Sequence, residues 1–378
     1  MIRVLHVIDH LGYGGAPFVV KNIVERMPAD SVESLVCALR PNPKSLPIDA
    51  TVITLQFGKY SLGVIRSIRD LCTEHRIDIV HAHLQKAAIG SLLARPRFAA
   101  RLILHEHGPV FRDGTGCIYR WFLRRFGSRA DAIIANSQAA ASAVKHTMGD
   151  TRTPVAVVAN FIDLERFDPD RHDRKTAREL LGLPQDRFVV GFVGRLDRAK
   201  GADLLVDAAA TLPRDAKSWH FYLVGDGPQR RSLADRIGRL GLERTVGIGG
   251  LHEDAAAILP AFDVVVVPSR REAFGIAALE AMRMRVPVIA SPAGGLPELV
   301  RDHDTGILLS RLDAETIARA IQGLAADDRL REKLRRNAYE LASRFGGDQA
   351  VQQIVEIYRR VTTPTKREDI VGGTTSGA

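Results

Sequence analysis

Asp263-Val264-Val265-Val266-Val267-Pro268-Ser269-Arg270-Arg271-Glu272-Ala273-Phe274-Gly275-Ile276-Ala277-Ala278-Leu279-Glu280-Ala281 is the stretch on which the fold turns. It opens as an unbroken apolar run, passes through Pro268 and a polar loop, and resumes as an apolar helix-like segment. A run without polar alternation is what a strand buried on both faces looks like, as in a parallel sheet covered by helices. Strand, loop and helix in that order is the repeating piece of a doubly wound α/β sheet.

The same grammar extends in both directions. Apolar, β-branched runs recur at Ile2–Ile8, Ser34–Leu39, Thr51–Leu55, Ile77–His81, Arg101–His105, Asp131–Asn136 and Val155–Ala159. A second set follows at Phe188–Val193, His220–Val224, Thr245–Ile248, Asp263–Val267, Val286–Ala290 and Gly306–Leu309. Helix-like segments separate them. At 378 residues the chain suits two such cores rather than one. The charged stretch from Asp168 to Arg174, ahead of a helix stopped at Gly182-Leu183-Pro184, marks the break between them. We expect a first Rossmann-like domain over residues 1–170, a second over 171–345, a helix over 346–361 returning to the first, and a disordered tail over 362–378.

The loop in the opening stretch carries the chemistry. Glu272 and Glu280 stand eight residues apart, one in the loop and one in the helix. Gly275 allows close backbone approach to a ligand. A helix beginning across Ala273–Ile276 offers free N–H groups to an anion, with Glu280 two turns further along on the ligand side. Amides for phosphate and carboxylates for hydroxyls are what a nucleotide sugar requires. Arg195 and Lys200, after the strand Phe188–Val193 and just before Gly201, supply cations for a diphosphate that gains charge as it leaves.

Composition narrows the classes. With 46% hydrophobic and 26% charged residues the chain is globular. Cys37, Cys72 and Cys117 show no CxxC spacing, which argues against a disulfide framework or a zinc site and suits a reducing cytosol. No apolar stretch reaches the roughly 18 residues of a membrane span, so a cytoplasmic protein is expected. The net charge of +9 fits nucleic acid, an anionic membrane or phosphorylated small molecules. Aromatics at only 6% and the lack of any nucleic-acid motif disfavour the first.

Glu272-x7-Glu280 with Phe274-Gly275 resembles the signature of the retaining glycosyltransferase family 4, of GT-B fold. The ordered segments Gly14-Gly15-Ala16, His81-Ala82-His83, His105-Glu106-His107-Gly108, Gly194-Arg195-Leu196, Leu223–Pro228, Gly294–Glu298 and Asp304-Thr305-Gly306 agree with it over nearly all of residues 1–361. The resemblance implies two Rossmann-like domains facing a cleft, acceptor side first and donor side second. It implies transfer of a sugar, with retained configuration, from a UDP- or GDP-sugar to a hydroxyl acceptor, sugar or lipid-linked, in bacterial polysaccharide, glycolipid or related synthesis. In that frame Arg195 and Lys200 hold the diphosphate, Glu280 the ribose and Glu272 the donor sugar. Backbone groups of Ala273, Phe274, Gly275 and Ile276 add contacts. His107 and the Gly14-Gly15 loop complete the cleft, and His83 and His105 are weaker candidates for sugar or acceptor contacts. Many members carry Glu after Gly-Gly-Ala, where this chain has Pro17; proline suits a first helical turn, but that polar contact is lost.

No metal or other cofactor is expected: no Asp-x-Asp stands at a strand end, and His81-x-His83 finds no Cys or carboxylate at a zinc spacing. Residues 118–129 form a basic aromatic helix. Two readings stand for it, a stripe packed on the sheet, or a face laid on the anionic inner surface of a membrane with Trp121 and Phe122 inward. Two rival functions also stand, a sugar-nucleotide epimerase of similar fold and a non-enzymatic sugar-nucleotide binding protein.

Overall fold

The computed structural model describes residues 1–12, 14–57, 61–108, 115–213 and 219–363; the C-terminal tail from residue 364 lies outside them. The first sheet contains β1 (Ile2–Ile8), β2 (Val32–Ala38), β3 (Thr51–Thr54), β4 (Ile79–His83), β5 (Arg101–Glu106), β6 (Ala132–Ala135) and β7 (Val155–Val157). All its pairings are parallel, in the order β3-β2-β1-β4-β5-β6-β7. The crossovers carry α1 (Gly15–Glu25), α2 (Gly63–Glu74), α3 (Leu84–Ala94), α4 (Thr115–Phe126) and α5 (Gln138–Met148). After α6 (Arg174–Leu181) the second sheet collects β8 (Phe188–Val193), β9 (Trp219–Val224), β10 (Val246–Gly250), β11 (Val264–Val267), β12 (Val288–Ala290) and β13 (Ile307–Leu308), again parallel, in the order β10-β9-β8-β11-β12-β13. Its helices are α7 (Ala202–Thr211), α8 (Arg230–Leu240), α9 (Ala255–Ile258), α10 (Ile276–Arg283), α11 (Leu296–Leu299), α12 (Ala314–Ala326) and α13 (Asp328–Ala342), and α14 (Gly347–Thr362) closes the chain's described part.

Each apolar run of the sequence falls on one of these thirteen strands. The largest displacement is β4, which reaches His83 where the sequence suggested an end at His81. His81 and His83 are fully buried, so His83, placed beyond the strand by the sequence, is also core. Opposite faces of the first sheet feed separate cores. Leu5, Val7, Val80, Ala82, Leu102 and Leu104 pack under α2, α3 and α4. Val4, Ile79 and Ile103 meet Val19 and Ile23 of α1 and Ala350, Val351, Ile354 and Tyr358 of α14. The last helix therefore belongs to the first sheet's core.

The charged stretch from Asp168 to Arg174 contributes no buried residue, as its composition suggested, but its flanks are core. Ile162, Phe167, Ala177 and Leu181 are buried in the second half. Arg178 is wholly buried, donating to the carbonyls of Ala261, Pro184, Gln185 and Arg187 and, at 2.7 Å, to the Asp263 carboxylate. Asp263 in turn accepts from the Val189 amide at 2.7 Å. A buried cation is tolerable when its donors are satisfied in this way, and this one staples α6 to the start of β8 and β11.

Both sheets reverse strand order once, at β1/β4 and at β8/β11. In open parallel sheets the crevice beyond the carboxyl ends at such a reversal is where ligands bind. Here the two crevices share one cavity.

Candidate active site

That cavity, of about 730 Å³, takes one wall from each sheet. From the first come Gly14 and Gly15 at the start of α1, His107 just after β5, Asn136 after β6 and Asn160 beyond β7. From the second come Gly194 and Arg195 after β8, Lys200, then Ser269, Glu272 and Ala273–Ala277 after β11, and Glu280 on α10. Of the residues singled out in the sequence, Gly14, Gly15, His107, Arg195, Lys200, Glu272, Ala273, Phe274, Gly275, Ile276 and Glu280 all lie in this lining. His83 and His105 do not: both are buried in the sheet behind His107, 0% and 3% exposed.

The loop that presents Glu272 is held by close backbone packing. Gly294 has φ +55, and a Cβ there would sit 1.7 Å from the Glu272 carbonyl oxygen. Gly275 has φ +103 and is the N-cap of α10, so the helix starts at Ile276, later than the sequence suggested. Ala273 and Phe274 are loop residues, and Glu280 lies little more than one turn in. The first-turn amides of α10 still face the cavity edge, because a helix N-terminus leaves four N–H groups without intrahelical partners.

Lys200 Nζ donates to Glu272 Oε2 at 2.7 Å, and Ser269 Oγ donates to the same oxygen at 3.1 Å. The two residues assigned to diphosphate and sugar thus form one ion pair across the cleft wall. Arg195, with 70% of its side chain exposed, has only a loose pairing to Asp197 at 3.4 Å. Glu280 is surrounded closely enough that burial pushes its carboxyl up to about 7, the Arg166 guanidinium pulling it the other way.

His107 Nε2 and His83 Nδ1 share a hydrogen bond at 2.9 Å, and His83 Nε2 meets His6 Nδ1 at 3.1 Å. Burial holds His107 and His6 down to about 3 and His83 well below the usual imidazole range. His107 also borders a second cavity, of about 250 Å³, with Asp9, Leu84, Gln85, Lys86, Ile89, Glu106 and Ile118. Glu106 receives a hydrogen bond from Tyr119, and burial pushes its carboxyl up to about 8.

Sequence reasoning passed over Asn136, Asn160 and Arg166. Neither amide atom of the Asn136 side chain, nor Asn160 Oδ1, has a partner among the described residues, although all three atoms are buried. Unpaired buried amides at a cavity wall are ready for ligand. Their position just beyond a strand's carboxyl end was the available signal. The halves also touch: Ser137 Oγ donates to the Ala273 carbonyl at 2.8 Å, and the Glu298 carboxylate accepts from the Gln138 and Ala139 amides, both at 3.0 Å.

Comparison with known proteins gives this arrangement its family. Residues 173–341 match the model of glycosyl transferases group 1, and residues 13–166 match that of glycosyltransferase family 4. A D-inositol 3-phosphate glycosyltransferase of Saccharomonospora viridis is 30% identical over 338 residues, 83% of this chain and 77% of that protein. The enzyme of the same name from Mycobacterium bovis is 33% identical over 335 residues, 83% of this chain and 68% of the relative. Among solved structures, Anabaena HepE in complex with UDP and glucose superposes with a TM-score of 0.82 at 28% identity, covering 95% of this chain and all of that one. Sucrose-phosphate synthase of Thermosynechococcus elongatus shares the fold with a TM-score of 0.84 at 23% identity, covering 96% and 99%. A shared cleft between two parallel sheets, matched along both halves by family models and relatives, makes this chain a family 4 glycosyltransferase of GT-B fold.

Proposed function

We propose that the enzyme transfers a hexosyl group from a UDP-sugar, with retained anomeric configuration, to a hydroxyl of a sugar or lipid-linked acceptor in surface glycoconjugate synthesis. The observation that carries the donor side is the convergence of Arg195, Lys200, the α10 amides, Glu272 and Glu280 on one cavity. The UDP and UDP-glucose complexes of HepE, 27–28% identical to this chain, favour UDP over GDP. Arg195 and Lys200 bind the diphosphate. Glu280 accepts from the ribose hydroxyls, Glu272 faces the sugar, and Asn136 and His107 offer hydrogen bonds from the opposite wall. Lys200 leaves Glu272 as the diphosphate arrives, so donor binding exchanges one ion pair for another. The bond from the anomeric carbon to the diphosphate breaks, a bond to the acceptor oxygen forms, and the acceptor's hydroxyl proton passes to the departing diphosphate, which leaves as UDP. The fixed cations hold the departing charge, the role a metal has elsewhere, and turnover in EDTA without added magnesium or manganese is expected.

A calorimetric screen of UDP, GDP and their sugars tests the donor. Selective micromolar binding of UDP supports the reading; equal or absent binding refutes it. For the acceptor, a second reading has its own support. The curated relatives are named for D-inositol 3-phosphate, and Lys86 stands in the smaller cavity beside His107. Radiolabelled transfer to D-inositol 3-phosphate against transfer to lipid-linked glycan decides between them. Conversion of the UDP-sugar without any acceptor would revive the epimerase alternative, and binding without turnover the non-catalytic one.

A further inference from the structure

Behind the cleft wall five histidines share one face of the first sheet. The register sets His6 beside His81 and His83 beside His105, and alternation along each strand brings His83 and His107 onto that same face. His83, His105 and His107 can each direct one ring nitrogen to a common point, the three atoms lying within 4.8 Å of one another. The ring centroids stand 4.0 Å apart for His105 and His107 and 5.4 Å for His83 and His105. Hydrogen bonding accounts poorly for this group: neither ring nitrogen of His105, nor His107 Nδ1, has a partner among the described residues, though all are buried. Buried polar atoms ordinarily have partners.

We propose that His83, His105 and His107 form a three-histidine site for a tetrahedral divalent transition-metal ion, zinc being the fitting member. Imidazole is a borderline-soft ligand suited to that class, whereas magnesium and calcium require oxygen donors that the triad lacks. Glu106 alternates to the other side of β5 and is held by Tyr119. The outer contacts agree. With Nδ1 on the ion, His83 keeps its proton on Nε2 and donates it to His6 Nδ1, the second contact that orients a metal-bound imidazole. Three neutral ligands leave a fourth position for water, and His107, the one member lining the cavity, opens it toward the cleft. The alternative triad of His6, His81 and His83 has no such opening, since none of its members lines the cavity. Both triads include His83, so one ion binds per chain. An ion here occupies a nitrogen of His107, and so inhibits transfer; this second consequence rests on the proposed donor role of His107, while the site itself does not.

The test uses the full-length enzyme stripped with EDTA. Calorimetric titration with zinc chloride should give one equivalent bound, and cobalt chloride should give the intense visible bands of tetrahedral cobalt. His105→Ala should weaken zinc at least about tenfold, with UDP calorimetry reporting that the variant is folded, whereas removing the exposed imidazole in His146→Ala should change nothing. Should His105→Ala fail to fold, X-ray absorption at the zinc edge of the wild-type enzyme counts the imidazole ligands directly. No stoichiometric binding, fewer than three imidazoles, or unchanged affinity in folded His105→Ala overturns the site. Zinc bound by three imidazoles with transfer undiminished upholds the site and counts instead against the donor role of His107.

Discussion

The two glutamates of the cleft make the sharpest residue-level distinction. Ribose contacts are equal in ground and transition states, so Glu280→Ala should weaken UDP about ten- to hundredfold, the roughly 1.5–3 kcal/mol of a charged hydrogen bond, and raise KM with little change in kcat. On the proposed reading Glu272 faces the carbon at which positive charge develops, so Glu272→Gln should lower kcat and leave UDP affinity intact. The ion pair sharpens this expectation, because the substitution frees Lys200 for the diphosphate. Calorimetry with UDP and steady-state kinetics on both variants check it; swapped phenotypes refute the assignment. Glu280 also predicts a pH dependence. Burial raises its carboxyl to about 7, and on the proposed reading ribose hydroxyls donate to its ionised form. UDP affinity should therefore rise as pH increases through about 7, with Glu280→Gln removing that increment while the phosphate's own titration persists in both proteins. At this scale the gathering of Arg195, Lys200, Glu272 and Glu280 at one cavity was legible, because a strand end, a glycine and a helix start in sequence mark where such side chains converge. The histidines were not. His6, His81 and His105 are far apart in sequence, and only the register of three strands makes them neighbours. Arg178 was hidden for a related reason: a cation in a charged helix reads as surface until Asp263 and four carbonyls are seen around it.

At the scale of elements, strands were read more faithfully than helix starts. Thirteen apolar runs became thirteen strands because burial on both faces leaves a continuous signal. The start of α10 moved to Ile276 because Gly275 takes a left-handed conformation, which no periodicity reveals. Helix α5 begins at its N-cap Ser137 against the other half of the molecule, and Glu298 caps its first amides. A carboxylate there is worth about 0.5–2 kcal/mol through its hydrogen bonds and the helix dipole. Glu298→Ala should accordingly loosen the contact between the halves. Small-angle scattering of the unliganded variant should show a larger radius of gyration than wild type, converging on it when UDP is added. An unchanged radius would mean that Glu298 does not hold the halves together. Helix α4 divides its residues: Tyr119 and Leu123 are core, while Ile118 and Trp121 are 50% and 58% exposed beside Arg124 and Arg125. The packed stripe and the exposed aromatic face therefore coexist on one helix, with Trp121 rather than Phe122 the more open. Sedimentation with vesicles should recover more protein on anionic than on neutral lipid at low salt, and Trp121→Ala with Arg124→Glu should abolish the difference. Equal recovery of the wild type on both removes membrane contact.

For the whole molecule, acid should be the damaging condition. Burial holds His6 and His107 at about 3, and His81, His83 and His105 well below the usual value, whereas unfolded imidazoles take protons near 6.5. Between those values the unfolded chain binds more protons, so this contribution to stability is complete above about 6.5 and is lost as pH falls. Glu106 and Glu280, raised to about 8 and about 7, act in the opposite sense: the folded state holds their protons longer, and stability declines as pH climbs from about 4.5 through those values. Tm should peak near pH 6–7 and fall steeply toward pH 4, and His105→Phe should flatten the acid limb. A Tm constant from pH 4 to 6.5 would refute this. The chain crosses between the halves twice, side by side, with the Ile162 amide donating to the Phe345 carbonyl at 3.0 Å. Such paired crossings suit a hinge, and closure over the donor excludes water.

The second crossing delivers α14 to the first sheet, and this has a consequence for synthesis. The last strand of that sheet ends at Val157, but the helix that covers one of its faces begins only at Gly347. At about 5–20 residues per second, roughly 10–40 s separate their emergence from the ribosome. Throughout that interval Val4, Ile79, Ile103 and Ile134 lack the partners that α14 supplies in the finished core, so the nascent first half is a natural client for chaperones, and its folding is completed only after α14 has emerged.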